Sequence, residues 1–185
     1  MKHSTDPGAE ILRASLFAAR AHAGQARKGA AAEPYVNHVL EVAAILADHG
    51  APLPVVLAGL LHDTVEDTEV THADLVAAFG AEVAGLVAEA TDDKTLPKEM
   101  RKALQVSQAP KKSDGAKQLK LADKISNLRA IADSQPANWI HARRVEYAGW
   151  AGRVAAGLRG VNPALDALFD STYRAAMAKL SAEEG

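Results

Sequence analysis

Cysteine is absent from all 185 residues of this chain. That excludes disulfides, zinc–thiolate sites and cysteine nucleophiles, so a metal here would have to be held by histidine and carboxylate. Long apolar runs are missing as well. The stretch from His49 to Leu61 carries no charged side chain, but Pro52 and Pro54 interrupt it and it is too short to span a bilayer. The first ten residues, MKHSTDPGAE, hold no apolar stretch for a signal peptide. These absences point to a cytoplasmic protein with no membrane partner. Period-two alternation with β-branched residues is not sustained anywhere, which argues against a sheet. A large excess of one charge is also missing: the net charge is −2, a poor match to a nucleic-acid-binding module.

What is present is ordinary for a globular domain, with 48% hydrophobic and 24% charged residues. The length suits one domain over residues 1–185, with a core from about 6 to 180. The pattern is helical nearly throughout. Asp6-Pro7 caps a helix running to about Ala23, and residues 24–35 form a loop with two glycines and a proline. A helix from about Val36 to Asp48 stops at Gly50, and Pro54 starts the next. Thr71 to Asp74 resembles a capping box for a short helix ending near Gly80, and residues 81–90 form another. Pro97 opens a basic helix ending near Pro110, and Ser113 or Asp114 caps one reaching about Ser134. Pro136 begins a long helix to about Leu158, and Asn162-Pro163 begins the last. The expectation is an all-α bundle of about eight to ten helices.

Charge is distributed in blocks. Residues 60–93 hold nine acidic residues and no Lys or Arg, whereas residues 94–129 hold ten basic residues against three acidic ones. One block could hold a cation and the next attract a polyanion; both also read as solvated helix faces. The acidic block opens with His62-Asp63-Thr64-Val65-Glu66-Asp67, directly after the apolar run 55–61. His62/Glu66 and Asp63/Asp67 are i,i+4 pairs, so on a helix these side chains share one surface. Three carboxylates there repel one another, and a divalent cation removes the conflict. A His-Asp dipeptide alone is weak, since a chain of this composition has roughly 0.5 by chance. Two further donors are available. His38 lies one turn into its helix and, taken alone, reads first as a capping or core histidine. Asp123 interrupts the apolar stripe Leu119, Leu121, Ala122, Ile125, Leu128; it needs either a metal or a salt bridge to Lys120 or Lys124.

His38, His62, Asp63 and Asp123 together make a two-His, two-Asp set that suits Mn²⁺, Fe²⁺ or Zn²⁺ better than Ca²⁺. Glu66 and Asp67 are then spare carboxylates beside the ion. His22, His49, His72 and His141 read as non-ligands. Arg27-Lys28 lies in a glycine-containing loop where backbone can approach a ligand closely. Asn127 is one turn beyond Asp123 on the same face. Arg143, Arg144 and Tyr147 share a later helix, one of the arginines facing away. Trp139 and Trp150 read as packing residues.

The ordered series His22-x-Gly24-Gln25-x-Arg27-Lys28, Pro34-Tyr35-x-x-His38, His62 to Thr68, Thr91-Asp92-Asp93-Lys94 and Leu121-Ala122-Asp123-Lys124-x-x-Asn127-Leu128 resembles the HD-superfamily hydrolases of the RelA/SpoT group. Length and the stretch Arg143-x-x-x-Tyr147-x-x-Trp150 are most similar to the small, stand-alone alarmone hydrolases of the metazoan SpoT homologue type. The resemblance spans about residues 10–170. It implies an all-α HD fold and Mn²⁺-dependent release of pyrophosphate from the 3′ position of ppGpp or pppGpp, leaving GDP or GTP. It implies a single ion on His38, His62, Asp63 and Asp123, and catalytic roles for Glu66 and Asp67. It places Arg27, Lys28, Asn127, Arg143 and Tyr147 against the nucleotide. Val39 departs from the pattern, where proline often follows the histidine. The alternatives are an HD phosphohydrolase for another nucleotide (a nucleoside monophosphate or NADPH) and a non-catalytic nucleotide sensor. A homodimer is compatible with the sequence.

Overall fold

Asp6 opens the first helix as its pattern predicts: its carboxylate accepts from the Gly8 and Ala9 amides at 3.2 and 3.3 Å. The computed structural model describes residues 6–29, 32–133 and 139–183. The helices are α1 (Pro7–Ala21), α2 (Val36–Asp48), α3 (Leu53–Leu61), the single turn α4 (Thr64–Asp67), α5 (His72–Ala90), α6 (Lys98–Gln108), α7 (Asp114–Asp133), α8 (His141–Ala156) and α9 (Pro163–Ala182). A 3₁₀ turn, Ala109–Lys111, follows α6. Among the described residues there is no strand, only an isolated antiparallel bridge between Ala26 and Pro34. No helix there is long and apolar enough to cross a membrane.

Two boundaries differ from the sequence reading. The Thr71–Asp74 capping box starts α5 as expected, and the two short helices expected over 72–90 meet at Gly80, whose non-helical φ of 87° and ψ of 166° separates them. The helix expected from Pro136 begins at His141. Pro136 lies outside the described residues, and Ile140 is extended at ψ 156°, so no helix can pass through it. The helix expected to run from α3's apolar body into the His-Asp cluster instead ends at Leu61 and restarts at Thr64.

Two helices form the centre. In α3 every residue from Val55 to Leu61 is buried, so the short helix is apolar all round and is covered by α1, α2, α5 and α7. Helix α7 packs against α2, α3, α5, α8 and α9. It buries Leu119, Leu121, Ala122, Ile125, Leu128 and Ile131 together with Lys120, Asp123, Lys124 and Ser126. Helices α2 and α3 meet at Gly59, where an added Cβ would lie 2.8 Å from Leu46 Cδ1 and 3.3 Å from Ala43 Cα. Gly59→Ala is therefore expected to cost about 1–3 kcal/mol by overpacking, measured as a lowered denaturation midpoint.

Candidate metal centre

Helices α2, α3 and α7 bring four donors together from distant parts of the chain. His38 is the third residue of α2, His62 caps the C-terminus of α3, Asp63 follows it, and Asp123 lies midway along α7. His38 Nε2 is 3.6 Å from Asp63 Oδ2 and 3.3 Å from Asp123 Oδ1. His62 Nε2 is 3.0 Å from Asp63 Oδ2 and 3.9 Å from Asp123 Oδ1. A first-row ion holding N and O donors at about 2.0–2.2 Å separates adjacent donors by roughly 3.0–3.6 Å. The observed spacings fall around that range.

The histidines carry their protons on the correct side for ligation. His62 Nδ1 donates to the Gly59 carbonyl at 2.9 Å, using one of the carbonyls left unpaired at the end of α3. Its Nε2 is buried and has no hydrogen-bond partner despite lying near two carboxylates. His38 Nδ1 lies 2.9 Å from Ser126 Oγ. Both Nε2 atoms thus point into the cluster, where loss of any proton they carry exposes a lone pair to a cation.

Asp123 uses its two oxygens differently. Its Oδ2 accepts from Lys124 Nζ at 2.8 Å, the salt-bridge alternative. Its Oδ1 faces the histidines and accepts from Asn127 Nδ2 at 2.6 Å. Lys124, itself buried, lies 4.8 Å over the Trp150 ring. Asp63 Oδ2 also accepts from the Tyr35 hydroxyl at 2.5 Å. Burial alone would raise both carboxyls, but His62 and then His38 hold Asp63 well below the usual carboxylate range. Lys124 and His38 do the same for Asp123. Burial would push His62 down; the Asp63 and Asp123 carboxylates outweigh it and push its pKa up to about 9.

A proton on His62 therefore competes with a metal. Apparent affinity should rise with pH up to about 9 and fall below it, and loading near neutral pH should release close to one proton. Calorimetry in buffers of different ionisation enthalpy reads that proton. In the metal-free protein this proton stabilises the fold fully below the unfolded histidine value and no longer does so as pH rises through about 9.

The cluster opens on a cavity of about 570 Å³, within the range of small-molecule sites. Arg27, Lys28, Asn127 and Tyr147 line it, together with His38 and Asp67. Arg27 Nη2 donates to Asn127 Oδ1 at 3.1 Å, so the cavity wall is bonded to the ligand side chains through Asn127. Tyr147 is half-buried, and desolvation, with the nearby Asp123 charge adding to it, pushes its hydroxyl pKa up to about 12. Arg143 does not line the cavity; its guanidinium stacks 4.3 Å over Trp139, which does. Arg144 faces away, buried and paired with Glu183. Asp67 is on the wall, ion-paired with Lys94, and its backbone carbonyl accepts from Gln25 Nε2 at 2.9 Å. Glu66 is half-buried and turned aside, accepting from the Asp92 amide at 3.0 Å. Burial raises its pKa against the pull of that amide, and the Asp92, Asp63 and Asp67 charges raise it further.

Most of the basic block is committed elsewhere. Lys102 pairs with Glu146, Lys112 donates to the Glu89 carbonyl and Lys120 to the Ala90 carbonyl. From that block it is Arg129 that lines the cavity as a cation. Sequence reasoning missed Tyr35, Glu41 and Ser126 as partners of the donors, and it read Trp139 as packing. Tyr35 stood inside the quoted motif, but its hydroxyl's target is fixed only by the tertiary fold.

An all-α scaffold with two histidines and two aspartates converging beside a nucleotide-sized cavity defines the HD class. Residues 14–153 match the HD-domain model, and the chain belongs to the HD-domain family. Among its relatives is human guanosine-3′,5′-bis(diphosphate) 3′-pyrophosphohydrolase MESH1, 49% identical over 168 residues, 90% of this chain and 94% of that protein. The Drosophila melanogaster protein of the same name is 43% identical over 177 residues, 92% of this chain and 97% of that one. A solved structure described as a metazoan orthologue of SpoT that hydrolyses ppGpp superposes with a TM-score of 0.87 at 43% identity, covering 92% of this chain and 97% of the other.

Proposed function

We propose that this protein is a metal-dependent guanosine-3′,5′-bis(diphosphate) 3′-pyrophosphohydrolase, releasing pyrophosphate from ppGpp or pppGpp to leave GDP or GTP. The observation that carries this reading is the convergence of His38, His62 and Asp123, with Asp63 3.0 Å from His62, beside a cavity with Arg27, Lys28 and Arg129 on its walls. The near-full-length similarity to proteins of that activity supports the substrate.

His38, His62, Asp63 and Asp123 would hold one divalent ion, assigned as Mn²⁺ from the mixed N/O donor set and the family resemblance. When bound, such an ion would supply charge stabilisation and Lewis acidity at the reacting phosphate. Tyr35 and Lys124 each hold one carboxylate ligand in place by a hydrogen bond. Arg27, Lys28 and Arg129 bind the phosphates; a guanidinium matches two phosphate oxygens at once. Asn127, fixed between Arg27 and Asp123, sets the distance between nucleotide and ligand cluster. Asp67, on the cavity wall, orients the attacking water. Glu66, whose pKa burial raises, is the proton acceptor. Arg143 steadies Trp139 at the rim.

Incubation with ppGpp and Mn²⁺ should yield GDP and pyrophosphate in equal amounts by ion-exchange chromatography, and chelation should abolish turnover. Release of single phosphate, or binding without product, would contradict the assignment.

A further inference from the structure

A metal-binding imidazole needs its other nitrogen protonated, and something must hold that proton. For His38 the partner is a hydroxyl. Ser126 Oγ lies 2.9 Å from His38 Nδ1 and donates its own proton to Glu41 Oε2 at 2.7 Å. A hydroxyl has one proton to give. With that proton committed to a carboxylate, Ser126 can only accept from His38. Glu41 is in turn oriented by Arg129 at 3.0 Å and Arg27 at 3.8 Å. Helix α2 supplies His38 and Glu41 at i,i+3, and α7 supplies Ser126 and Arg129 at i,i+3, so the relay is carried by rigid elements. Glu41 also lines the cavity, where a carboxylate repels an anionic nucleotide and so calls for another reason to be there.

We propose that Glu41 is a positioning residue, fixing through Ser126 the tautomer of His38 that leaves Nε2 free to bind metal. The inference rests on the reading of His38 as a ligand. Outer partners of metal-bound histidine raise its basicity and fix its ring, and their loss typically costs about 10–100-fold in metal affinity.

The test titrates the metal-free full chain with Mn²⁺ by calorimetry. It also follows the His38 Nδ1–H signal by NMR in the Zn²⁺-loaded protein. Glu41→Ala and Ser126→Ala should each weaken Mn²⁺ binding by about 10–100-fold and make that proton exchange rapidly. Glu41→Gln, whose amide oxygen still accepts from Ser126, should recover most of the affinity. If both alanine variants bind Mn²⁺ as wild type does and keep a protected Nδ1–H, Glu41 is only a tether between α2 and α7 and the inference is wrong. If Glu41→Ala does not fold, Ser126→Ala decides alone. A His38→Ala control separates the two levels: wild-type binding in that variant would overturn the ligand reading itself.

Discussion

An Asp123→Ala variant should lose the metal, lose turnover and lose several kcal/mol of stability together, because the two oxygens of this carboxylate do different work. Oδ1 belongs to the donor cluster, 3.3 Å from His38 Nε2. Oδ2 neutralises Lys124, which is only 3% exposed. Removing one partner of a buried ion pair typically costs about 3–5 kcal/mol, since the other charge stays behind without compensation. The Trp150 face beneath Lys124 returns roughly 0.5–2 kcal/mol of that. Metal content, turnover and thermal unfolding on the same preparation check the prediction. The double variant Asp123→Ala, Lys124→Met separates the two roles: it should regain much of the stability and none of the metal. Wild-type metal content in either variant would contradict the assignment of Asp123.

Replacing Glu66 by Gln should cut turnover by about 10²–10⁴-fold, the usual worth of a positioned proton acceptor, while leaving the metal in place. Asp67→Asn should reduce turnover with the metal retained as well, but the two differ in their pH signature. The Glu66 pKa is raised, so the acid limb of the rate profile lies above the ordinary glutamate range. Turnover should fall as pH drops through that value and Glu66 becomes protonated. Asp67→Asn should keep the limb, and Glu66→Gln should remove it. A profile through Glu66→Gln with the wild-type limb intact would transfer the acceptor role to another group.

The helical plan was legible wherever a local signal fixed an end. Asp6-Pro7, the Thr71 capping box and Asn162-Pro163 each sit where the structure caps a helix. Gly80 likewise stands where the two halves of α5 part, at a non-helical φ of 87°. What misled was tertiary. The i,i+4 spacing of residues 62–67 assumed one continuous helix. The break between Leu61 and Thr64 instead lets Asp63 turn towards His38 and leaves Glu66 on Asp92.

In the centre itself, His62-Asp63 announced itself by being charged at the end of a wholly apolar run, and Asp123 by interrupting an apolar stripe. His38 carried no comparable local mark; the motif around it supplied the signal. The relay through Ser126 and Glu41 and the Tyr35 contact to Asp63 could not be read, because each pairs residues on different elements through single hydroxyl groups. The basic block showed the opposite limit. Its composition was plain, but whether each lysine met a carbonyl, a carboxylate or the cavity depended on helix packing.

The most direct test of the account is a crystal grown with Mn²⁺, with diffraction recorded at an energy where manganese scatters anomalously. One anomalous peak should appear among His38 Nε2, His62 Nε2, Asp63 Oδ2 and Asp123 Oδ1, at the head of the cavity that Arg27 and Lys28 line. No peak there, or a peak held by other side chains, would contradict the central claim.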